Sequence, residues 1–386
     1  VDGTLPASAY SWSVDFYNNG IAQPFYINEV PLPFYGPVTG VTSGSFTIPT
    51  DLSNGATTFY RIALTVTNSH GLKTTVKRDI KPNQSTWSVG TNLPGAGYWV
   101  DGTWHTTPYT NPDGVGIQHV LAGVPTQVVN GSRYRFNSWS DGSALTDTFT
   151  SSAATGTITA NYEPVSATLP GSWQGTDVGA PLVPGGNDYA ASSGTFYVDG
   201  AGADVYNSND QFHYVYQTLN GNGTITARVR YQTNSSAWAK AGIMIKQSTA
   251  AGSPYVDVLT TPTVSPSTPN INGIGCTPDG CAAPLPPVVP TVGYGVRMQY
   301  NFKGSQSVSD PTLLAGYHSP NEWLRLTRVG NTFTSWYSTD GTTWKLIGKT
   351  TFAMNTSATI GLFVCSHNIG QTSTAAFDNV TVVAGP

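Results

Sequence analysis

The stretch that decides the fold is NEWLRLTRVGNTFTSWYSTDGTTW, residues 321–344. Leu324 and Leu326 alternate with Trp323, Arg325 and Thr327, the period-two pattern of a half-buried strand. Gly330-Asn331 supplies residues that accept positive φ, which a tight hairpin turn demands. The return segment, 332–338, is rich in β-branched and aromatic residues. Asp340-Gly341 makes the next turn, and Trp344 follows where a large ring can close the end of a core. The stretch predicts antiparallel sheet, with aromatic and basic residues alternating to its other face.

Composition fits that reading. Charged residues make up 10% of the 386, against roughly a quarter in ordinary soluble proteins. Gly (42) and Pro (27) are frequent and aromatics reach 11%, so the solubilising surface is hydroxyl and amide rather than ionic. Such a balance is common in secreted all-β modules. A net charge of −4 provides no basic field, which argues against nucleic acid as a partner. No apolar run approaches the length of a membrane span. The chain opens with VDGTLPASAYSW, without an initiator Met or signal peptide, as though inside a domain. It is expected to be a processed or excised portion of something longer.

Three cysteines are too few for a disulfide scaffold. Cys276 and Cys281 flank Thr-Pro-Asp-Gly, a turn sequence that brings two sulfurs together, and a disulfide is expected there. A metal at that pair lacks nearby His or Cys ligands. Cys365, in the apolar run GLFVCSH, is expected as a buried thiol.

The chain divides into three units at 1–80, 81–164 and 165–386. In the first, residues 10–16, 45–48, 60–67 and 72–80 read as strands, and the Pro-rich 20–44 reads as a long loop. The second carries short strands and a Trp-Ser-Asp-Gly turn in which Trp139 packs and Asp141-Gly142 reverses the chain. The third has strand after strand separated by turn signals, without a helical period, and is long enough for a sandwich with a substantial core. The segment 261–290 reads as an irregular loop.

Several motifs support a resemblance. DGTLPASAYSW and FYRIALTVTNSHGL, at the start of the chain, resemble PKD-like, immunoglobulin-type sandwiches that would be N-terminally incomplete here. YRFNSWSDGSALTDTF with GTITANY resembles a small bacterial β-repeat. GTFYVDGAGADVYNSNDQFHYVYQTLNGNGTITARV, WAKAGIMIK, EWLRLTRVGNTFTSWYSTDGTTW, ATIGLFVCSHN and AAFDNVTV follow in order. Together they resemble the concanavalin A-like (jelly-roll) modules of secreted bacterial carbohydrate-active proteins. The whole is similar to the C-terminal accessory region of secreted glucose/sorbosone dehydrogenase-like quinoproteins and of some glycoside hydrolases. The resemblance implies a non-catalytic region whose catalytic domain would lie upstream, and an all-β fold of three sandwiches or small β domains.

Candidate chemistry is sparse. Glycoside hydrolysis needs two carboxylates flanking the scissile bond. The third unit has one Glu, Glu322, and most of its Asp residues stand in turn sequences; Asp204 and Asp210 are the best remaining pair. Six scattered histidines show no metal-ligand spacing, and no nucleophile elbow or phosphate loop occurs. His213, Gln217, Trp238, Lys246, Arg325 and His367 are polar or aromatic residues in or at the ends of strands. They are expected to line one concave sheet face and to bind a sugar, against the alternative that each is a strand-end or solvated residue. Asp378, near the last strand, matches the position where concanavalin-like modules hold structural Ca²⁺, and the resemblance implies that ion; the other reading is an Asp bonded to backbone.

Three functions follow. The first is carbohydrate binding or adhesion, with a polysaccharide or cell-surface glycan as partner. The second is a structural subunit of an extracellular filament or surface layer. The third is a glycan-active enzyme with its site in the third unit. The filament reading turns on the truncated start, which would leave 10–16 as an open β edge available to a second copy. The upstream domain or the 20–44 segment are the other ways to cover that edge.

Overall fold

The computed structural model describes residues 4–27, 30–48, 55–206, 209–262, 276–277, 280–281, 293–302, 306–308 and 322–385. For 25–27, 30–32, 209, 276–277, 280–281 and 306–308 it describes the backbone alone. The fold is all-β. Among the described residues the one helical turn is a 3-10 turn at Ala7–Ala9. The chain forms two units. Unit one is Val1–Gly90, Pro108–Val120 and Thr148–Ile158; unit two is Thr91–Thr107, Leu121–Asp147 and Thr159–Pro386.

In unit one, Tyr10–Asn18 pairs antiparallel with Thr58–Thr67, from Tyr10↔Val66 to Asn18↔Thr58, and Lys73–Ile80 adds beyond it. Val14, Tyr60 and Ala63 fall inward. Phe16, Phe34 and Phe46 surround Tyr60 with ring centroids between 5.0 and 5.7 Å away. The expected loop over 20–44 is instead largely strand: Ile21–Ala22, Phe25–Ile27, Val30–Leu32 and Tyr35–Thr39. Ile21–Ala22 and Tyr35–Thr39 pair with the free side of Tyr10–Asn18. The open edge expected at 10–16 is therefore closed by this chain itself. Proline disguised the covering strand, since Pro37 cannot donate a hydrogen bond; an edge strand has an outward side where no donor is required. A second hub of unit one centres on buried Asp113. Its Oδ2 accepts from Trp87 Nε1 (3.2 Å) and Asn111 Nδ2 (2.9 Å) and lies 2.6 Å from His119 Nε2.

In unit two the Trp-Ser-Asp-Gly turn behaves as the sequence implies. Trp139 is fully buried against Tyr98 and Phe136, Gly142 takes φ 87°, and the Asp141 carboxylate accepts the Ser143 N–H at 2.9 Å. On the neighbouring strand Ser132–Trp139, Arg135 is wholly buried. Its guanidinium donates to Asp188 (2.7 Å) and to Asp199 (3.1 Å), which lie on two strands of the sandwich described next. A charge so deep is tolerable only because both oxygens and nitrogens find partners.

The sandwich has two seven-stranded antiparallel sheets. Sheet one runs Gln174–Val178, Phe212–Asn220, Ser357–Cys365, Lys240–Lys246, Tyr255–Thr260, Val296–Asn301, Gln306–Val308. Sheet two runs Gly186–Ala190, Thr195–Gly202, Asn368–Ala384, Gly223–Gln232, Glu322–Val329, Thr332–Ser338, Lys345–Thr351. The core between them takes alternate residues from each. Val215, Ile243, Ile245, Val258 and Leu362 of sheet one meet Val198, Ile225, Val229, Leu324, Leu326 and Phe333 of sheet two. Each such side chain contributes about 1.5–3 kcal/mol on burial, so this layer sets the fold. Sheet one also buries its other face, where Phe212, Tyr214, Met244, Tyr255, Leu259 and Phe363 form a second cluster. The outer face of sheet two is buried on its first two strands, where Asp188 and Tyr197 lie inside, and carries half-buried side chains such as Trp323, Arg325 and Trp336 on the strands beyond.

Candidate functional site

Lys240–Lys246 (KAGIMIK) runs through the middle of sheet one. Ala241, Ile243 and Ile245 enter the main core, so Lys240, Met244 and Lys246 stand on the outer face. Both lysines are buried, and burial of an ammonium demands a partner. The partners come from one small hairpin, Val205–Tyr206 with Asn209–Asp210. Asp204 pairs with Lys240, whose Nζ also donates to the Val205 carbonyl at 3.1 Å. Asp210 pairs with Lys246 at 2.7 Å, and Lys246 Nζ donates to the Ser253 carbonyl at 2.9 Å. The Gly252 N–H also donates to Asp210, at 2.6 Å. Asp204 and Asp210, the carboxylates that sequence offered as a catalytic pair, therefore clamp a hairpin over the sheet.

A third carboxyl lies on the same face. Asp257 is fully buried in Tyr255–Thr260, and its Oδ1 accepts the Gln299 N–H at 3.2 Å. Burial pushes it well above the usual carboxylate range; Lys240 and the Gln299 N–H oppose this, and Asp204 and Asp210 reinforce it. Burial also works against the charge of Asp204, but His367 and Lys240 outweigh it and hold that carboxyl below its usual range. For Lys246, burial wins over Asp210 and lowers the ammonium.

At the Lys240 end the face is not closed. His367 Nε2 lies 3.6 Å from Asp204, whose side chain is 18% exposed. His367 sits in the left-handed region, φ 51°, and its Nδ1 is 3.3 Å from Ser236 Oγ. The Ser235 hydroxyl donates to the Ser366 carbonyl at 2.6 Å. These contacts fix the loop that carries Trp238. Trp238 stacks on Tyr294, with centroids 3.9 Å apart and planes 18° apart. Arg297 lies 5.2 Å from the Trp238 ring centre, and Tyr294 is 40% exposed. An exposed aromatic surface thus borders an ionised carboxylate, an imidazole and a guanidinium.

The six expected binding residues do not share one face. Trp238 and His367 meet at this end of sheet one. Lys246 lies at the other end of the same strand, under the hairpin. His213 faces the space between the sheets, where Nδ1 is 2.8 Å from Asp177 and Nε2 is 3.2 Å from Asn187 of sheet two. Gln217 is also on the core side of its strand, and accepts from Ser172 Oγ at 3.0 Å. Arg325 is on the outer face of sheet two. One-strand parity separates inside from outside but does not say which sheet a strand joins, so a shared face was not predictable from it. Lys240, Tyr294 and Arg297 went unnoticed; the equal spacing of Lys240/Lys246 and Asp204/Asp210 was the readable signal for the clamp.

Asp378 has arginines where Ca²⁺ was expected. Arg228 Nε donates to Oδ1 at 2.7 Å and its second nitrogen to Oδ2, and Arg230 lies 3.7 Å away. A cation there would have to displace a guanidinium. Among the described residues no three His, Cys, Asp or Glu side chains come together to hold a metal. Cys276 and Cys281 are backbone partners across a two-stranded hairpin; their side chains lie outside the described residues. Cys365 is buried and free, its thiol pushed up to about 12 by burial. Glu322 is buried at the start of its strand. Among the described residues its Oε2 has no partner, and burial pushes the carboxyl up to about 7.

No protein-family model matches the chain, and no curated protein matches it. Among solved structures, it is similar to a functionally unknown protein from Saccharomyces cerevisiae, at 15% identity and TM-score 0.39, over 55% of this chain and 97% of that one. It is similar to a mutant of the GH43 protein BlXynB from Bacillus licheniformis, at 12% identity and TM-score 0.33, over 85% of this chain and 63% of that one. The carbohydrate recognition domain of Emp47p gives 16% identity and TM-score 0.27, over 57% of this chain and 91% of that one. TM-scores this low do not let any of these proteins speak for this one.

Proposed function

We propose that the chain is a non-catalytic carbohydrate-binding region of an extracellular protein. The observation that carries this is the Trp238–Tyr294 stack beside Asp204, His367 and Arg297. A sugar presents C–H groups on its faces and hydroxyls at its rim. An aromatic surface next to planar hydrogen-bonding side chains answers both. The low-charge, hydroxyl- and amide-rich composition suits an extracellular setting.

The enzyme reading has one feature in its favour: two carboxyls on one face, Asp204 held low and Asp257 raised, as acid and base pairs are. Asp257 is wholly buried, however, so the pair does not flank an open cleft.

Pull-down with a panel of neutral insoluble polysaccharides tests the proposal. The full chain should be retained by at least one. Trp238→Ala should lose about tenfold in affinity, as expected for losing one stacking ring, with thermal unfolding nearly unchanged. Retention that is the same for wild type and Trp238→Ala sinks the assignment of this site.

A further inference from the structure

The outer face of sheet two carries an array that the site above does not use. Cross-strand partners Thr226, Arg325, Trp336 and Leu346 form one row, and Arg228 and Trp323 begin the next. Arg325 lies over Trp344, its guanidinium carbon 3.7 Å from the ring centre. Its Nε donates to the Thr226 hydroxyl at 3.3 Å, a neutral acceptor. Among the described residues no carboxylate approaches it. Arg297 on sheet one also lies over a ring, that of Trp238, and donates to the Tyr294 carbonyl, but three other arginines of unit two are held by oxygen acceptors. Arg135 and Arg228 are bound to aspartates, and Arg328 donates to the carbonyls of Gly330, Met354 and Asn355. Lys349, exposed at the end of the adjacent row, also meets no carboxylate among the described residues. In a chain of net charge −4, Arg325 and Lys349 are thus two cations of this face that meet no carboxylate among the described residues.

Stacking fixes the plane of a guanidinium and leaves its in-plane N–H groups free. Such a fork, held in place before binding, matches a carboxylate in the same plane. The rings of Trp323 and Trp336 flank it on the same side of the sheet, half-exposed.

We propose that the outer face of sheet two is a second binding surface, for an acidic polysaccharide, in which Arg325 clamps a uronate carboxylate and the neighbouring indoles carry sugar C–H faces. This takes its ligand class from the glycan-binding reading but not its site. Polygalacturonate and its fully methyl-esterified form are the probes, since they share a backbone and differ in charge. The full chain should bind the free acid at least about tenfold more tightly than the ester, with affinity falling as salt rises. Arg325→Gln should remove that preference, Arg325→Lys should restore little of it, and Trp238→Ala should leave it intact. Equal binding of acid and ester by the wild-type chain overturns the proposal without any variant having to fold. So does acid binding that Trp238→Ala abolishes and Arg325→Gln does not, an outcome that would keep the sheet-one site. Conversely, an Arg325-dependent preference without retention on any neutral polysaccharide supports this face and removes the other.

Discussion

On the outer face of sheet one, Lys240 and Lys246 each meet an aspartate, and the hairpin bearing those aspartates is held against the apolar cluster, which takes in its Val205. On the outer face of sheet two, Arg325 lies on an indole and meets no carboxylate among the described residues. The two faces belong to one sandwich and share one core. At these residues they differ in whether the chain supplies the counter-charge itself, although each face holds both cases: Arg228 meets Asp378 on sheet two, and Arg297 lies on Trp238 on sheet one. Where it does, charge is spent on holding a loop. Where it does not, charge remains for something outside. Presence of a charged residue on a sheet therefore says little about binding until its partner is known.

That contrast can be broken in three graded ways. Lys246→Ala leaves Asp210 buried without its cation, which costs about 3–5 kcal/mol. Urea unfolding at neutral pH should show it, and Lys246→Met combined with Asp210→Asn should recover most of the loss. A cost below about 1 kcal/mol, the range of a surface pair, would mean that the clamp does not hold the hairpin.

Glu322 is the intermediate case, buried with one oxygen that has no partner among the described residues. Its carboxyl is raised from 4.5 to about 7 in the folded chain, so between those values the folded state holds more protons than the unfolded one. Its favourable contribution is complete below the unfolded value and is lost as pH rises through about 7. Glu322→Gln should accordingly raise stability by up to about 3 kcal/mol near pH 8 and by almost nothing near pH 4. Melting curves at both pH values test this; an equal gain at the two would show that ionisation is not the cause.

Arg325 is the mildest. Half-exposed and unpaired, it should change stability by less than about 1 kcal/mol on substitution by Gln. A larger drop by chemical denaturation would make it a structural residue and bring the two faces closer together.

Much of the sandwich was legible. The strand Thr332–Ser338 was predicted with the ends observed, because β-branched and aromatic residues dominate it and turn residues bound it. Gln174–Val178 and Gly186–Ala190 were missed. They pair at sheet edges, where few residues must be apolar, and of Gln174–Val178 only Val178 is fully buried. Tyr35–Thr39 was missed for its proline. The site was less legible because its parts come from distant segments: Asp204 and Lys240 are brought together by sheet order, and sheet order is not periodic in sequence. Arg325 and Trp344 are joined by one hairpin and one turn, yet Trp344, expected to close the end of a core, lies half-buried under Arg325 on the outer face instead.

The Lys–Asp pairs have one more consequence. In AGIMI the inward positions are all small or aliphatic, so Lys240–Lys246 slid by two residues against Ser357–Cys365 and Tyr255–Thr260 would still bury a continuous apolar row. Hydrophobicity alone distinguishes the two alignments poorly. The lysines are six residues apart and so are their aspartates, so any slip breaks both bridges together and strands two ammonium groups in an apolar layer. The pairs thereby act as alignment pins: whatever small net stability they lend, they make one strand register the sole acceptable one.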